Sequence, residues 1–284
     1  MQTRGACPSL RGLGKGFMRP HAGVRRSIPA SVALACPATE QPDSTEWTTP
    51  VSQHEIEQAR AGKVTIYLTD KPINATWLPP LKDLNVLCLA SGGGQQGPIL
   101  AAAGAKVTVL DNSPEQLEHD IKVAFQHRLQ IRTQLGDMRD LSEFHDSAFD
   151  LVVHPVSNLL VPDIRPVWRE VGRVIRSGGV LISGFKNPIY YLFGRHPQHS
   201  CDLRARYPIP YSDVTSITYE ERIQLYGELA PLEFGHTLTD QIGGQLDAGF
   251  AITHFAEDSR DSEPISRYTC EYISTRAIST KGDI

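Results

Sequence analysis

The sequence lacks a long apolar run and is poor in cysteine, and each absence excludes a class of protein. No apolar stretch in its 284 residues approaches the about 20 residues of a membrane-spanning helix, which excludes an integral membrane protein. The cysteines are odd in number and form no C-x-x-C pair, which argues against a disulfide framework or a cysteine-based zinc site and indicates a reducing compartment. They are Cys7, Cys36, Cys88, Cys201 and Cys270.

Acidic residues are absent from the first 39 positions, which contain six Lys and Arg. Subtracting these six from the 28 Lys and Arg of the chain leaves 22 against 32 Asp and Glu, a net charge of -10 from residue 40 onward. We expect residues 1–46 to form a disordered basic leader, because this polar, proline-broken composition cannot build a core. Organellar transit peptides and plain disordered tails share this composition. The predicted location is the cytoplasm, or a plastid or mitochondrion if the leader is a transit peptide.

A glycine-rich loop follows the first strongly apolar segment. Residues 86–90 are continuously apolar, which predicts a strand that is buried on both faces of a parallel sheet. The loop Ser91-Gly92-Gly93-Gly94-Gln95-Gln96-Gly97 comes next, and a helix is predicted from about Pro98 to Ala103. Glycines at this point let backbone N–H groups approach a ligand closely.

The second predicted strand, residues 106–110, ends in Asp111. An acid at this position can accept hydrogen bonds from both hydroxyls of a ribose. Ser113 is expected to cap the next helix, with Gln116 closing a capping box. The glycines together with Asp111 satisfy the dinucleotide fingerprint, so NAD(P) and other adenosine-bearing cofactors both stay open at this point.

The downstream order of elements is more specific. A third strand is predicted at residues 129–133 before Gly136-Asp137-Met138, a fourth at 149–153 before His154, and a fifth at 180–184 after the turn Gly178-Gly179. This succession resembles the class I S-adenosylmethionine-dependent methyltransferases of the small-molecule type (methyltransferase type 11-like), over about residues 84–185. The resemblance implies an α/β fold: a Rossmann-like, seven-stranded, mostly parallel sheet with helices on both faces and an antiparallel last strand.

The resemblance also implies S-adenosylmethionine as cofactor and assigns residues to its parts. The glycine loop would hold the methionine part, Asp111 the ribose, Asp137 the adenine amino group and Met138 the adenine ring. His154 would face the amino acid end of the cofactor or the acceptor. The predicted cofactor-binding residues are Ala90, Ser91, Gly92, Gly94, Asp111, Asn112, Asp137, Met138 and His154.

Two positions depart from the pattern of the family. This chain has Cys88 where the family usually has an acid, and Ala90 where it usually has a glycine. The missing acid removes one expected anchor near the amino group of the cofactor.

The rest of the chain completes one methyltransferase domain over residues 47–284. We interpret residues 186–236, rich in tyrosine and proline, as a lid over the acceptor, because insertions after the fifth strand lie at the ligand-binding edge of such sheets. Two further strands, at 250–255 and 269–275, are expected to form the closing antiparallel pair. The cluster His196, His199 and Cys201 has no common zinc spacing, so no metal site is predicted.

The predicted reaction is an in-line methyl transfer to a small-molecule acceptor, and the acidic body disfavours a nucleic acid as partner. The candidate catalytic bases are His154 and, more weakly, His236, while Asn158 and Asp163 are expected to shape the floor of the pocket. A non-catalytic S-adenosylmethionine-binding regulatory module is an alternative. An NAD(P)-binding oxidoreductase is less favoured, because the Tyr-x-x-x-Lys pair that a short-chain dehydrogenase needs occurs only at Tyr67, before the first strand.

Overall fold

The computed structural model describes residues 49–194, 203–260 and 264–282. The predictions for the leader, and for the cluster of His196, His199 and Cys201, lie outside the described residues. None of the helices in the described ranges has the length and apolar character that crossing a membrane requires.

One sheet of seven strands organises the described chain. Its strands are β1 (Asn85–Leu89), β2 (Lys106–Asp111), β3 (Ile131–Leu135), β4 (Phe149–His154), β5 (Ile175–Lys186), β6 (Phe250–Asp258) and β7 (Tyr272–Ser279). Their spatial order is β3-β2-β1-β4-β5-β7-β6. The first five strands pair in parallel, whereas β7 runs antiparallel to both of its neighbours. The predicted fold class, including the antiparallel last strand, is confirmed.

Helices pack on both faces of this sheet. They are α1 (Gln53–Arg60), α2 (Gln96–Ala102), α3 (Pro114–His127), α4 (Arg165–Val174) and α6 (Gly244–Asp247), the last preceded by a π-helical turn at Thr239–Gly243. Helix α5 (Tyr219–Tyr226) belongs to the segment between β5 and β6. Cys88 belongs to the core beneath α1, α2 and α3, whereas its neighbours Leu87 and Leu89 belong to the core beneath α4. Because successive side chains of a strand point to opposite faces, a strand that is buried on both faces must be continuously apolar.

Two predictions around α3 are corrected. The Ser113 hydroxyl accepts the Gln116 N–H at 3.2 Å as predicted, but the Gln116 side chain does not close a capping box, and its Oε1 has no partner among the described residues. The third strand begins at Ile131 rather than Leu129. Arg128 ends α3 in a left-handed conformation with φ of 54°, and the Leu129 N–H still donates to the Ala124 carbonyl, so Leu129 belongs to the helix end.

Other element boundaries also move. Strand β5 starts at Ile175, and the predicted turn lies within it as an irregularity where Gly178 has φ of +69°. The last strand starts at Tyr272 rather than Thr269, because the Thr269 N–H donates to the Ile265 carbonyl in a turn that follows the short 3-10 helix Pro264–Arg267.

Residues 64–68 form a cover over the edge of the sheet core. Ile66 and Leu68 are buried in the core beneath α1. The Leu68 carbonyl accepts the Val156 N–H at 2.9 Å and lies only 2.5 Å from where a Cβ on Gly184 would sit. The segment therefore crosses β5 closely and fixes the loop that follows β4.

Candidate functional site

The carboxyl ends of β1, β2, β3 and β4 lie at one edge of the sheet, where ligands bind in open parallel sheets. The predicted cofactor residues follow these four strands, and the parallel pairing of the strands brings them to this edge. The prediction of their common location therefore follows from the fold class.

The glycine loop begins at Ala90, which has φ of 47°, a left-handed conformation that favours glycine. The site tolerates alanine there, and the Ala90 N–H still donates to the Leu110 carbonyl at 2.8 Å.

Gly92 is needed because there is no room for a side chain. A Cβ at Gly92 would lie 2.8 Å from the Cβ of Gln116 and 3.0 Å from Oδ2 of Asp111.

The loop is also attached to the beginning of the described chain. The Val51 N–H donates to the Gly94 carbonyl at 3.0 Å, and Nε2 of Gln95 donates to the Thr49 carbonyl at 3.0 Å. Two residues before α1 therefore help to fix the loop from its outer side.

Asp111 binds the loop through its carboxylate. Its Oδ2 accepts the Gly92 N–H at 2.8 Å and its Oδ1 accepts the Ser113 N–H at 3.0 Å. Burial is the main influence on Asp111 and raises its pKa, which these hydrogen bonds only partly offset. Asn112, by contrast, is exposed.

Sequence reasoning missed a second carboxylate at the loop, Asp120 of α3. Its side chain is fully buried, and its Oδ2 accepts the Gly93 N–H at 3.0 Å and the Gly94 N–H at 3.1 Å. Its position in the sequence could have shown it, because Asp120 lies on the buried face of α3, three residues after Leu117 and three before Val123.

Burial raises the pKa of Asp120 to about 7, and the charge of Asp111 adds to the rise, although the N–H groups of Gly93 and Gly94 oppose it. The N–H groups of three consecutive loop glycines are therefore already occupied by two carboxylates. A pyrophosphate at this loop would face like charge, which argues against NAD(P). A positively charged cofactor suits the same arrangement.

Asp137 and Met138, which follow β3, already make contacts within the protein. The Asp137 carboxylate forms an ion pair with the Arg139 guanidinium at 2.5 Å, and hydrogen bonds from Arg139 hold the pKa of Asp137 below its usual value against the opposing effect of burial. Met138 is buried in the core beneath α4. Their contacts with an adenine stay a prediction.

The structure brings both candidate histidines to Asn158. Nδ1 of His154 lies 2.9 Å from the Leu89 carbonyl, so this nitrogen carries the proton and Nε2 has the free lone pair. Burial lowers the pKa of His154 to about 4, although contacts with the Leu89 carbonyl and the Asn158 side chain favour the protonated ring. Nε2 of His236 lies 3.0 Å from the Asn158 carbonyl.

His154 packs against Trp168 with the two rings nearly perpendicular and their centroids 5.8 Å apart. Its Nε2 has no well-aligned hydrogen-bond partner among the described residues, and the same holds for Oδ1 of Asn158. Asp163, expected near Asn158 in the pocket floor, is exposed and accepts the Arg165 N–H at the start of α4.

Comparison with known proteins identifies the family. A family model described as a methyltransferase domain matches residues 87–183. The uncharacterized methyltransferase YbaJ of Bacillus subtilis is 47% identical over 234 residues, which cover 82% of this chain and 91% of that protein.

The chain belongs to the class I S-adenosylmethionine-dependent methyltransferases.

Other similar proteins match less of the chain or share only the fold. A sterol 24-C-methyltransferase of Gibberella zeae is 33% identical over 104 residues, 35% of this chain and 27% of that enzyme. Solved S-adenosylmethionine-dependent methyltransferases from Mesorhizobium loti and Methanosarcina mazei are 18% and 21% identical, with TM-scores of 0.52 and 0.53. Each covers 72% of this chain, and the matches span 94% and 95% of those proteins.

The loop of this methyltransferase fits S-adenosylmethionine, which carries a sulfonium and an ammonium group. The loop N–H groups already bind the acidic side chains of Asp111 and Asp120, so the loop offers acidic groups that suit a cation. Among the described residues no group of histidine, cysteine and acidic side chains could hold a metal ion.

We expect Asp111→Ala to raise the Kd for S-adenosylmethionine by at least about tenfold, or about 1.4 kcal/mol. The change removes the predicted acceptor for the ribose hydroxyls and the bond to the Gly92 N–H. Isothermal titration calorimetry measures the effect. The control Glu118→Ala removes an exposed charge from α3 and should bind normally; wild-type affinity in Asp111→Ala would refute the ribose assignment.

The pKa of Asp120 predicts a pH-dependent stability. Because the pKa in the folded protein, about 7, is above the usual 3.8, the folded state holds this proton more tightly than the unfolded state. The contribution of Asp120 should therefore be most favourable below about pH 4 and decline up to about pH 7. Urea unfolding of the wild type and Asp120→Asn, at several pH values, should show a difference in free energy that shrinks as the pH rises. A constant difference would contradict the assignment.

Proposed function

We propose that this methyltransferase transfers a methyl group to a small molecule that binds beneath residues 186–236. The observation that carries the proposal is the attachment of this segment at both ends to the edge of the sheet where the cofactor residues lie. The match to the sterol methyltransferase covers only about a third of this chain, so it supplies no information on the acceptor.

The first attachment follows β5. The Asn187 N–H donates to the Glu271 carbonyl at 2.8 Å, and Nδ2 of Asn187 donates to the Cys270 carbonyl at 3.0 Å. The second attachment is His236, whose ring contacts the Asn158 carbonyl after β4. The segment thus leaves the sheet at one strand end and returns at the neighbouring one, as a cover over a bound acceptor would.

The described part of this cover has a core of its own. The rings of Tyr191 and Tyr211 stack with centroids 5.2 Å apart, and both side chains are buried. Residues 211–212 pair with residues 234–235 in a short antiparallel ladder. Gly235 lies directly against Tyr191, since a Cβ there would be 2.4 Å from a ring carbon. These contacts support a folded lid rather than a loose loop.

Charge supports a small acceptor over a polyanion. The domain from residue 40 onward carries a net charge of -10. Lys186, at the start of the cover, lies 3.8 Å from a carboxylate oxygen of Glu271 and 3.8 Å from the centroid of the Tyr190 ring. This cation is therefore largely compensated within the protein and offers little to a phosphate backbone.

The bound cofactor would supply a methyl group activated by a positively charged sulfur, for transfer by in-line displacement. The chain contributes orientation of the two reactants and exclusion of water. We propose that His154 accepts the proton that a hydroxyl or amine acceptor loses, at Nε2, the nitrogen that the Leu89 contact leaves unprotonated. The low pKa keeps this ring neutral at physiological pH with the Nε2 lone pair free, and it also makes the ring a weaker base than an ordinary histidine.

The test of the proposed function is transfer of a labelled methyl group from S-adenosylmethionine to the small-molecule fraction of a cell extract. Label should appear in a product of low molecular mass and require the protein. Label found in protein or nucleic acid instead would overturn the small-molecule assignment.

His154→Gln is expected to lower kcat by about 100-fold or more, while the Kd for S-adenosylmethionine stays unchanged. Calorimetry and the labelled-methyl assay measure the two quantities, and thermal unfolding corrects for the lost packing against Trp168. His145→Gln is the matched control, because His145 is exposed. A variant at His154 with normal kcat would exclude the base role.

Gly235→Ala tests the lid. Its new methyl group would displace the Tyr191 ring, so we expect a higher KM for the acceptor with an unchanged Kd for S-adenosylmethionine. The comparison variant is Gly243→Ala, where a Cβ has room. Equal acceptor kinetics in Gly235→Ala and wild type would show that this segment does not cover the acceptor.

A further inference from the structure

The buried carboxylate of Asp120 has incomplete partners for a charged group. Its Oδ2 accepts two backbone N–H groups of the glycine loop, whereas its Oδ1 has no hydrogen-bond partner among the described residues. Burying a carboxylate with so few compensating contacts costs stability. Because Asp120 costs stability and its side-chain hydrogen bonds go to the cofactor loop, we expect its role to lie in that loop.

The free oxygen of Asp120 lies toward Cys88, the position at which similar methyltransferases usually have an acid. A Cβ on Gly97 would lie 2.7 Å from Cγ2 of Val109 and 3.0 Å from Oδ1 of Asp120. Val109 is the register partner of Cys88 in the adjacent parallel strand, and both side chains belong to the core beneath α1, α2 and α3. The Asp120 carboxylate therefore reaches the surroundings of the Cys88 side chain.

Electrostatics shows the same proximity. Burial raises the pKa of the Cys88 thiol, and the charge of Asp120 raises it further, while the neighbouring Ser91 hydroxyl opposes the rise. Cys88 is fully buried and stays a neutral thiol at physiological pH. The region beneath the loop thus contains one carboxylate, from α3, beside one neutral side chain, from β1.

We propose that Asp120 is a positioning residue for the cofactor loop, and that it supplies from helix α3 the carboxylate that similar methyltransferases place at the position of Cys88. By accepting the Gly93 and Gly94 N–H groups, it holds the loop in the conformation that receives S-adenosylmethionine. On this view the region needs one carboxylate, which either position 88 or position 120 can provide. Carboxylates at both positions would place two like charges in one buried region.

The first test separates cofactor binding from folding. Asp120→Asn should raise the Kd for S-adenosylmethionine and for S-adenosylhomocysteine by at least about tenfold, measured by calorimetry on the apoprotein. The matched control is Asp150→Asn. Asp150 is also buried and accepts a backbone N–H, that of Asn85, but at the opposite end of β1. The control should lose stability to urea and keep its affinity, and normal affinity in Asp120→Asn would overturn the proposal.

The second test is an exchange of the two residues. Cys88→Asp alone should lower the urea midpoint at pH 8, because it adds a second buried charge beside Asp120. Asp120→Cys alone should lose cofactor affinity as Asp120→Asn does. The double variant with Cys88→Asp and Asp120→Cys should recover both properties. If the losses of stability and affinity add up in the double variant, the two positions are not interchangeable and that part of the proposal is wrong. If the double variant does not fold, Asp120→Asn still decides the positioning role.

Discussion

The cofactor edge of this methyltransferase depends on hydrogen bonds between three glycine N–H groups and two carboxylates, one partly buried and one fully buried. Asp111 binds the first and Asp120 the next two, one acid coming from the end of β2 and the other from α3. In a phosphate-binding loop the same N–H groups would face an anionic ligand. Here acidic side chains of the protein itself accept these N–H groups, an arrangement that suits a cationic cofactor better than a phosphate.

The fold could be predicted from the order of buried strands, and that order also explains why the predicted cofactor residues lie together at one edge of the sheet. Asp111 and His154 end the buried strands β2 and β4, Asp137 follows the more polar β3, and parallel pairing brings the three to one edge. Asp120 was missed because motif reasoning searches loops and strand ends. The sequence signal for Asp120 is its position on the apolar face of α3. Seeing that signal requires the helix register to be known.

Some predicted element boundaries were wrong because they depend on local backbone conformation, which the sequence pattern does not show. Leu129 is apolar and adjoins a strand, but a left-handed Arg128 keeps it in the helix end. The partners of Asp137 could not be read from sequence either, since Arg139 lies two residues away on an irregular loop. At position 90 the motif predicts glycine, and the structure shows the reason, since the backbone there has a positive φ. This chain adopts the same conformation with alanine. Leader, lid and catalytic roles stay predictions.

The hydrogen bonds from residues 49–51 to the glycine loop give the start of the domain an unexpected importance. Val51 and Thr49 contact Gly94 and Gln95 directly, so the chain entering the domain passes beside the cofactor loop. The conformation of the cofactor loop is therefore physically linked to the integrity of the chain at residues 49–51. A cut after residue 51 would separate both hydrogen bonds from the domain, whereas a cut before residue 49 would leave both in place.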